Sequence, residues 1–158
     1  MKAHATVLAA MLLASLSFAG CGMPGGVESQ VTLGVGEGVY HDLAEGQTLQ
    51  LVHGCQGAQH VWVALRASGI EPRGPIIDLA LTRDRDGSVV SQPFTVRVSF
   101  DRAASGHDEL AGLTLVVPDP GQAIGEALTL RANVVDANDV EVIDERHVGL
   151  EWGDGGCL

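Results

Sequence analysis

Two histidines bracket a cysteine in His53-Gly54-Cys55-Gln56-Gly57-Ala58-Gln59-His60. Imidazole nitrogens and a thiolate are the ligand types that Cu and Zn prefer. If the flanking segments, Gln47 to His53 and His60 to Ala67, pair as a hairpin, the histidines flank its loop, with side chains ~5 Å apart when directly opposed on one face. Strand phase decides whether they converge. His53 shares a face with Leu49 and Leu51, and His60 shares one with Trp62 and Ala64, so both enter the core only if the Trp62 side is buried. The plainer reading, which we prefer, has the glycines and glutamines shaping a loop, the histidines hydrogen-bonding at strand ends, and Cys55 joining a disulfide. A metal site at His53, Cys55 and His60 is the alternative.

Oxygen ligands concentrate in Asp84-Arg85-Asp86-Gly87 and in Asp136-Ala137-Asn138-Asp139-Val140-Glu141. Calcium needs such ligands, but neither stretch fits an EF-hand: the second has Val140 at the fifth place and His147 at the twelfth. Asp-Gly and Asn-Asp are good hairpin turns, which is the reading preferred here. Ser105, His107, Asp108 and Glu109 hold acid/base types in one loop, yet adjacency in sequence does not create triad geometry. The chain has no Gly-x-Ser-x-Gly, His-Glu-x-x-His, phosphate-binding glycine loop or Cys-x-x-Cys. The expectation is a protein without catalysis.

A third feature is the leader. Lys2 precedes an apolar run from Ala5 to Phe18, and Ala19-Gly20-Cys21 follows it. The run is too short for the ~20 residues of a spanning helix and has the plan of a secretory signal peptide. It resembles the lipobox of bacterial lipoproteins over residues 1–21, with Phe18 where that family usually has Leu. The resemblance implies a diacylglyceryl group on the Cys21 sulfur, cleavage before Cys21 and acylation of the new amine. With Gly22 and not Asp after the cysteine, it further implies delivery to the outer membrane of a Gram-negative envelope. Ser17-Phe18-Ala19 also satisfies an ordinary signal peptidase, which would release a soluble chain starting at Gly20. Residues 21–30 are poor in apolar side chains and read as a flexible tether.

The chain carries 9 basic and 20 acidic side chains, a formal charge of −11, and Lys2 is its only lysine. Such a balance repels nucleic acid and anionic lipid surfaces, so no nucleic-acid partner is expected. If lipid consumes Cys21, then Cys55 and Cys157 remain as a pair in an oxidising compartment. Their bridge would contribute ~4 to 5 kcal/mol by loop entropy. A free thiol or a thiolate ligand at Cys55 competes with it.

The elements that must position these residues read as strands. Apolar and polar residues alternate in Phe94 to Phe100, Leu128 to Val134 and Val148 to Trp152, and less clearly in Leu33 to Leu43, Gln47 to His53, His60 to Ala67, Ile76 to Arg83 and Gly112 to Val117. Arg102 to Leu110 has room for one helical turn. About seven to nine strands at this spacing predict an all-β, antiparallel sandwich over residues 31–158, after a leader (1–20) and tether (21–30). Glu126 to Trp152 resembles the last two strands of a bacterial immunoglobulin-like domain, which implies a fold and no activity. That resemblance also offers Trp62 the place of the core tryptophan which the fold often has on its third strand. Recognition is expected in loops 54–59, 69–75 and 101–111. The partners expected are a membrane through the lipid, and a protein or glycan ligand; Tyr40, Trp62, Phe94 and Trp152 are the aromatics that could stack on sugar.

Overall fold

A computed structural model of the chain describes residues 27–55 and 57–156. The leader, Cys21, most of the predicted tether and Cys157 lie outside them. The described residues form ten strands: β1 (Gln30–Val35), β2 (His41–Asp42), β3 (Thr48–His53), β4 (Gln59–Ser68), β5 (Ile76–Arg83), β6 (Phe94–Arg97), β7 (Asp101–Arg102), β8 (Asp108–Val116), β9 (Leu128–Val135) and β10 (Glu141–Gly156). A 3-10 turn at Pro120–Gln122 is the one helical element among them. The chain is all-β, as the alternation predicts. In β5 the buried positions are Ile77, Leu79 and Leu81, and in β9 Leu128, Leu130, Ala132 and Val134. Those β-branched and γ-branched side chains fill one apolar cluster together with Leu33, Leu49, Leu51, Val61, Val63, Leu65 and Leu115.

The strands are ordered β2-β1-β4-β3-β10-β9-β5-β6, with β8 also on β4 and β7 beyond β8. β8 pairs with nearly all of β4, from His60 to Ala67, so β1 and β3 must share the opposite edge. β10 belongs to both halves of the sheet. Its first part, Glu141 to Val148, runs antiparallel to β9, and from Gly149 onward it runs parallel to β3. The sheet is therefore mixed, which corrects the antiparallel expectation. Side chains alternate with a period of two in either direction, so the pattern carries no information on strand polarity.

Other departures have local causes. Trp62 is only half-buried, because β4 turns Val61, Val63 and Leu65 inward. Trp152 shares the phase of buried Leu150 but lies past the end of the core and is 46% exposed. No helical turn forms at Arg102 to Leu110: Ala103 N–H bonds to His107 O, closing a β7–β8 hairpin whose rung joins Arg102 to Asp108. The predicted strand from Phe94 stops at Arg97, and the following residues bond instead to the 72–75 loop, through Val98 N–H to Pro75 O and Phe100 N–H to Pro72 O. Gln30, the last residue of the predicted tether, is already paired with Ser68.

Residues 36–40 cross the outer face of β4 as a strap. Gly36 leaves β1 at φ 140° and its carbonyl accepts the N–H of Gly112, at a glycine bulge in β8. The Tyr40 ring then lies directly on Gly34: a Cβ there would sit 2.3 Å from Tyr40 Cε2 and 2.5 Å from His41 O. Tyr40 is buried, its hydroxyl donates to Leu33 O at 3.3 Å, and the Arg66 guanidinium stacks 4.2 Å above its ring.

Candidate functional site

The most distinctive site is a break in strand pairing. On one edge of β4, β3 ends its rungs with Val52 opposite His60, and β1 begins its own with Val35 opposite Val63. Backbone groups on an antiparallel strand point alternately to its two edges. Val117 N–H bonds to Gln59 O, so the odd residues there face β8 and the even ones face β1 and β3. His60 thus meets Val52, Ala64 meets Gly34, and Trp62 lies between them with its N–H and C=O turned into the gap. Continuing either register would bring Gly36 or Gln50 opposite Trp62. The Gly36 carbonyl turns instead to the Gly112 N–H, and the β3–β4 rungs stop before Gln50.

The gap opens as a cleft of about 200 Å³ lined by Val35, Gly36, Gln47, Thr48, Leu49, Gln50, Val52, Val61 and Trp62. Its walls are apolar, and its rim carries two amides with complementary vacancies. Gln47 Oε1 accepts the Ala44 N–H at 3.0 Å, and Gln50 Nε2 donates to Glu151 Oε1 at 2.7 Å, so the rim retains an amide NH2 from the first and an amide carbonyl from the second. No charged side chain lines this cleft, although the chain carries −11. His60, 7% exposed, braces the Trp62 ring edge-on at 4.8 Å, and its Nε2 has no hydrogen-bond partner among the described residues. Gly54 closes over the other side of that imidazole: a Cβ at Gly54 would lie 3.2 Å from His60 Cε1.

The predicted histidine pair does not converge. The register places His53 opposite Gln59 and His60 opposite Val52, so the two imidazoles point to opposite faces of the hairpin. His53 stacks on Trp152 instead, with centroids 4.4 Å apart and planes 13° from parallel. No group of three or more His, Cys, Asp or Glu is arranged to hold a metal ion among the described residues. A one-residue difference in register separates these side chains.

The acidic stretches serve as turns. Asp136 Oδ1 accepts the N–H groups of Asn138 at 2.7 Å and Val140 at 3.0 Å, while Oδ2 accepts that of Glu71 at 2.8 Å. Those bonds, led by the one from Glu71, hold its carboxyl below the usual range. Asp86 takes both Nε and Nη2 of Arg83 and the hydroxyl and N–H of Ser88, and the Arg83 bond above all depresses its pKa. Asp84 receives the Thr129 hydroxyl at 2.7 Å and faces His147 Nδ1 at 3.2 Å, a grouping the sequence pattern did not reveal because the turn after β5 and the strands β9 and β10 each contribute one residue. In the 101–111 segment, Asp108 pairs with Arg102, and Glu109 pairs with Arg66 and accepts from Ser105. Ser105 therefore bonds to a carboxylate and accepts the His107 backbone N–H at 3.4 Å, not the imidazole.

Of the four aromatics considered for sugar stacking, Tyr40 is buried under Arg66, Phe94 is half-buried against the core, and Trp152 has His53 against one face. Trp62 borders the cleft described above. The core place that the immunoglobulin-like resemblance offers Trp62 is not taken, because the inward phase of β4 belongs to Val61, Val63 and Leu65. Searches of protein-family models and of curated proteins found no match to this chain.

Proposed function

We propose that the chain is a lipid-anchored protein of the bacterial cell envelope, an immunoglobulin-like β-sandwich with a binding role and no catalysis, held at the outer membrane through acylated Cys21. The binding role rests on one observation, the uncharged, apolar-walled cleft bordered by Trp62 between the ends of β1 and β3. The strands on either side of β10 fill a common core, which supports the sandwich reading. Main-chain atoms of Val27 and Glu28 already pack on Gly69. From Cys21 to Val27 an extended chain reaches about 20 Å, which would keep the body close to the bilayer.

The Cys55 to Cys157 bridge belongs to the same proposal. Gly156 is paired with His53 in the β3–β10 register. That rung sets the last described residue two positions from Cys55 in register, which supports a bridge to the next residue in sequence, Cys157.

Replacing Cys21 is the direct test of the anchor. The Cys21→Ser chain should move from the membrane fraction to the soluble fraction, and intact mass of the native N-terminus should match Cys21 with three acyl chains. A Cys21→Ser chain as firmly membrane-bound as its parent would overturn the anchored reading.

A further inference from the structure

We propose that the body stands end-on at the bilayer, with the pole formed by residues 27–29, 69–75, 98–107 and 136–140 turned to the phospholipid headgroups, an inference that rests on the anchor at Cys21 proposed above. Hydrogen bonds gather those segments at one end of the strands. Gln30 lies opposite Ser68, the last residue of β4, and Ser29 Oγ donates to Gly69 O at 2.7 Å. Glu71 N–H bonds to Asp136 at the β9–β10 turn, and Phe100 N–H to Pro72 O. The β7–β8 hairpin closes at the same end, because Asp108 lies opposite Ala67 and residues 103–107 extend past it. The opposite pole is a strand length away: β4 begins at Gln59, about 30 Å from Ser68 at the rise of an extended strand. There Gly54 N–H bonds to Ala58 O, Gln92 N–H bonds to Val116 O opposite His60, and the turn after β5 holds Gln122 through Arg83 at 3.1 Å.

Chain length selects the pole. The chain joins the body beside Gly69, where the main chain of Val27 and Glu28 packs, and Cys21 stands six residues before Val27, a reach of about 20 Å when fully extended. The near pole thus stays within that reach of the lipid, while the far pole is free to stand off. Charge makes it do so. Of the 9 basic residues Lys2 belongs to the leader, so the rest of the chain sets arginines alone against 20 carboxylates, and lying flat would press acidic surface on anionic lipid. Arg73, Arg97 and Arg102 all lie at the near pole, where they offset part of the acidity of Glu28, Glu71, Asp101 and Asp139. Arg73 is 90% exposed, with Glu71 3.9 Å from its Nε. Its guanidinium fork matches the oxygens of a headgroup phosphate.

The test is paramagnetic relaxation enhancement in the acylated, 15N-labelled chain, held in nanodiscs of phosphatidylcholine and phosphatidylglycerol that carry a trace of gadolinium-chelating lipid. The enhancement at the backbone amides of Gly69, Gly106 and Asn138 should exceed that at Gly57, Gly87 and Gly125 at least fivefold. Arg73→Glu, a change at an exposed side chain, should lower that ratio severalfold with unchanged thermal unfolding; an unchanged ratio would overturn the contact given to Arg73. Equal or reversed values at the two poles would overturn the proposal. So would an enhancement at Arg131 and Glu145, paired on the outer face of β9 and β10, as large as that at Gly69, since the body would then lie on its side. All these outcomes concern a chain that stays in the nanodisc. Cys21→Ser should lose the enhancement at every site, and a Cys21→Ser chain that kept the parent's pattern would overturn the anchor instead.

Discussion

Tyr40 shows how a single side chain can be set by its neighbours. Burial, followed by the hydrogen bond and charge of Asp42, pushes its pKa from 10 up to about 12. The folded state therefore holds the phenol proton more tightly than the unfolded chain does. That contribution is fully present below about pH 10 and disappears as pH rises toward about 12, amounting to about 3 kcal/mol. Urea midpoints measured across this interval should fall more steeply for the parent than for Tyr40→Phe; parallel curves would contradict the assignment. Neither the strap nor the Arg66 stack was legible in the sequence, where Tyr40 reads as one more aromatic in a weak alternating segment. What identifies it is Gly34, three-dimensionally beneath it, and a glycine in a strand announces close approach without saying of what.

At the level of elements, the strap and β1 are coupled through that glycine. Gly34→Ala would drive a methyl into Tyr40 Cε2 and the His41 carbonyl, and the second of these is backbone that cannot rotate away. Overpacking of this kind costs about 1 to 3 kcal/mol, so the variant should lose that much in chemical denaturation, while Gly38→Ala, whose Cβ meets nothing within 4 Å, should behave like the parent. Strand existence was readable from sequence wherever a face was continuous: β5 and β9 appear over almost the predicted residues because each buries every second side chain. The hairpin at Arg102 to Asp108 was not, since two-residue strands leave no periodicity to detect. The turn function of Asp136 and Asp86 was foreseen from residue type, and the structure adds the backbone donors that occupy their oxygens.

For the whole molecule, β10 is the strand that makes one body of two groups of strands. It pairs with β9 along Glu141 to Val148 and with β3 along Gly149 to Trp152. A further tie joins the halves: Asp144 Oδ2 on β10 accepts the Leu33 N–H of β1 at 2.7 Å, and Arg146 bonds to the other oxygen of the same carboxylate. Native-state hydrogen exchange should accordingly give both parts of β10 the same opening free energy, equal to that of global unfolding. Two distinct values would mean that the halves open separately. The all-β class followed from alternation, but the mixed polarity and the histidine divergence did not, because both hinge on register and direction, to which a two-residue period is blind.

The placement of β1 has a mechanical consequence. Its rungs to β4 run from Gln30 opposite Ser68 to Val35 opposite Val63. A pull applied at Gln30 along the strand axis would load those rungs in parallel, as in shear, and not unzip them one after another. The whole seam would then bear the load before any single hydrogen bond yields.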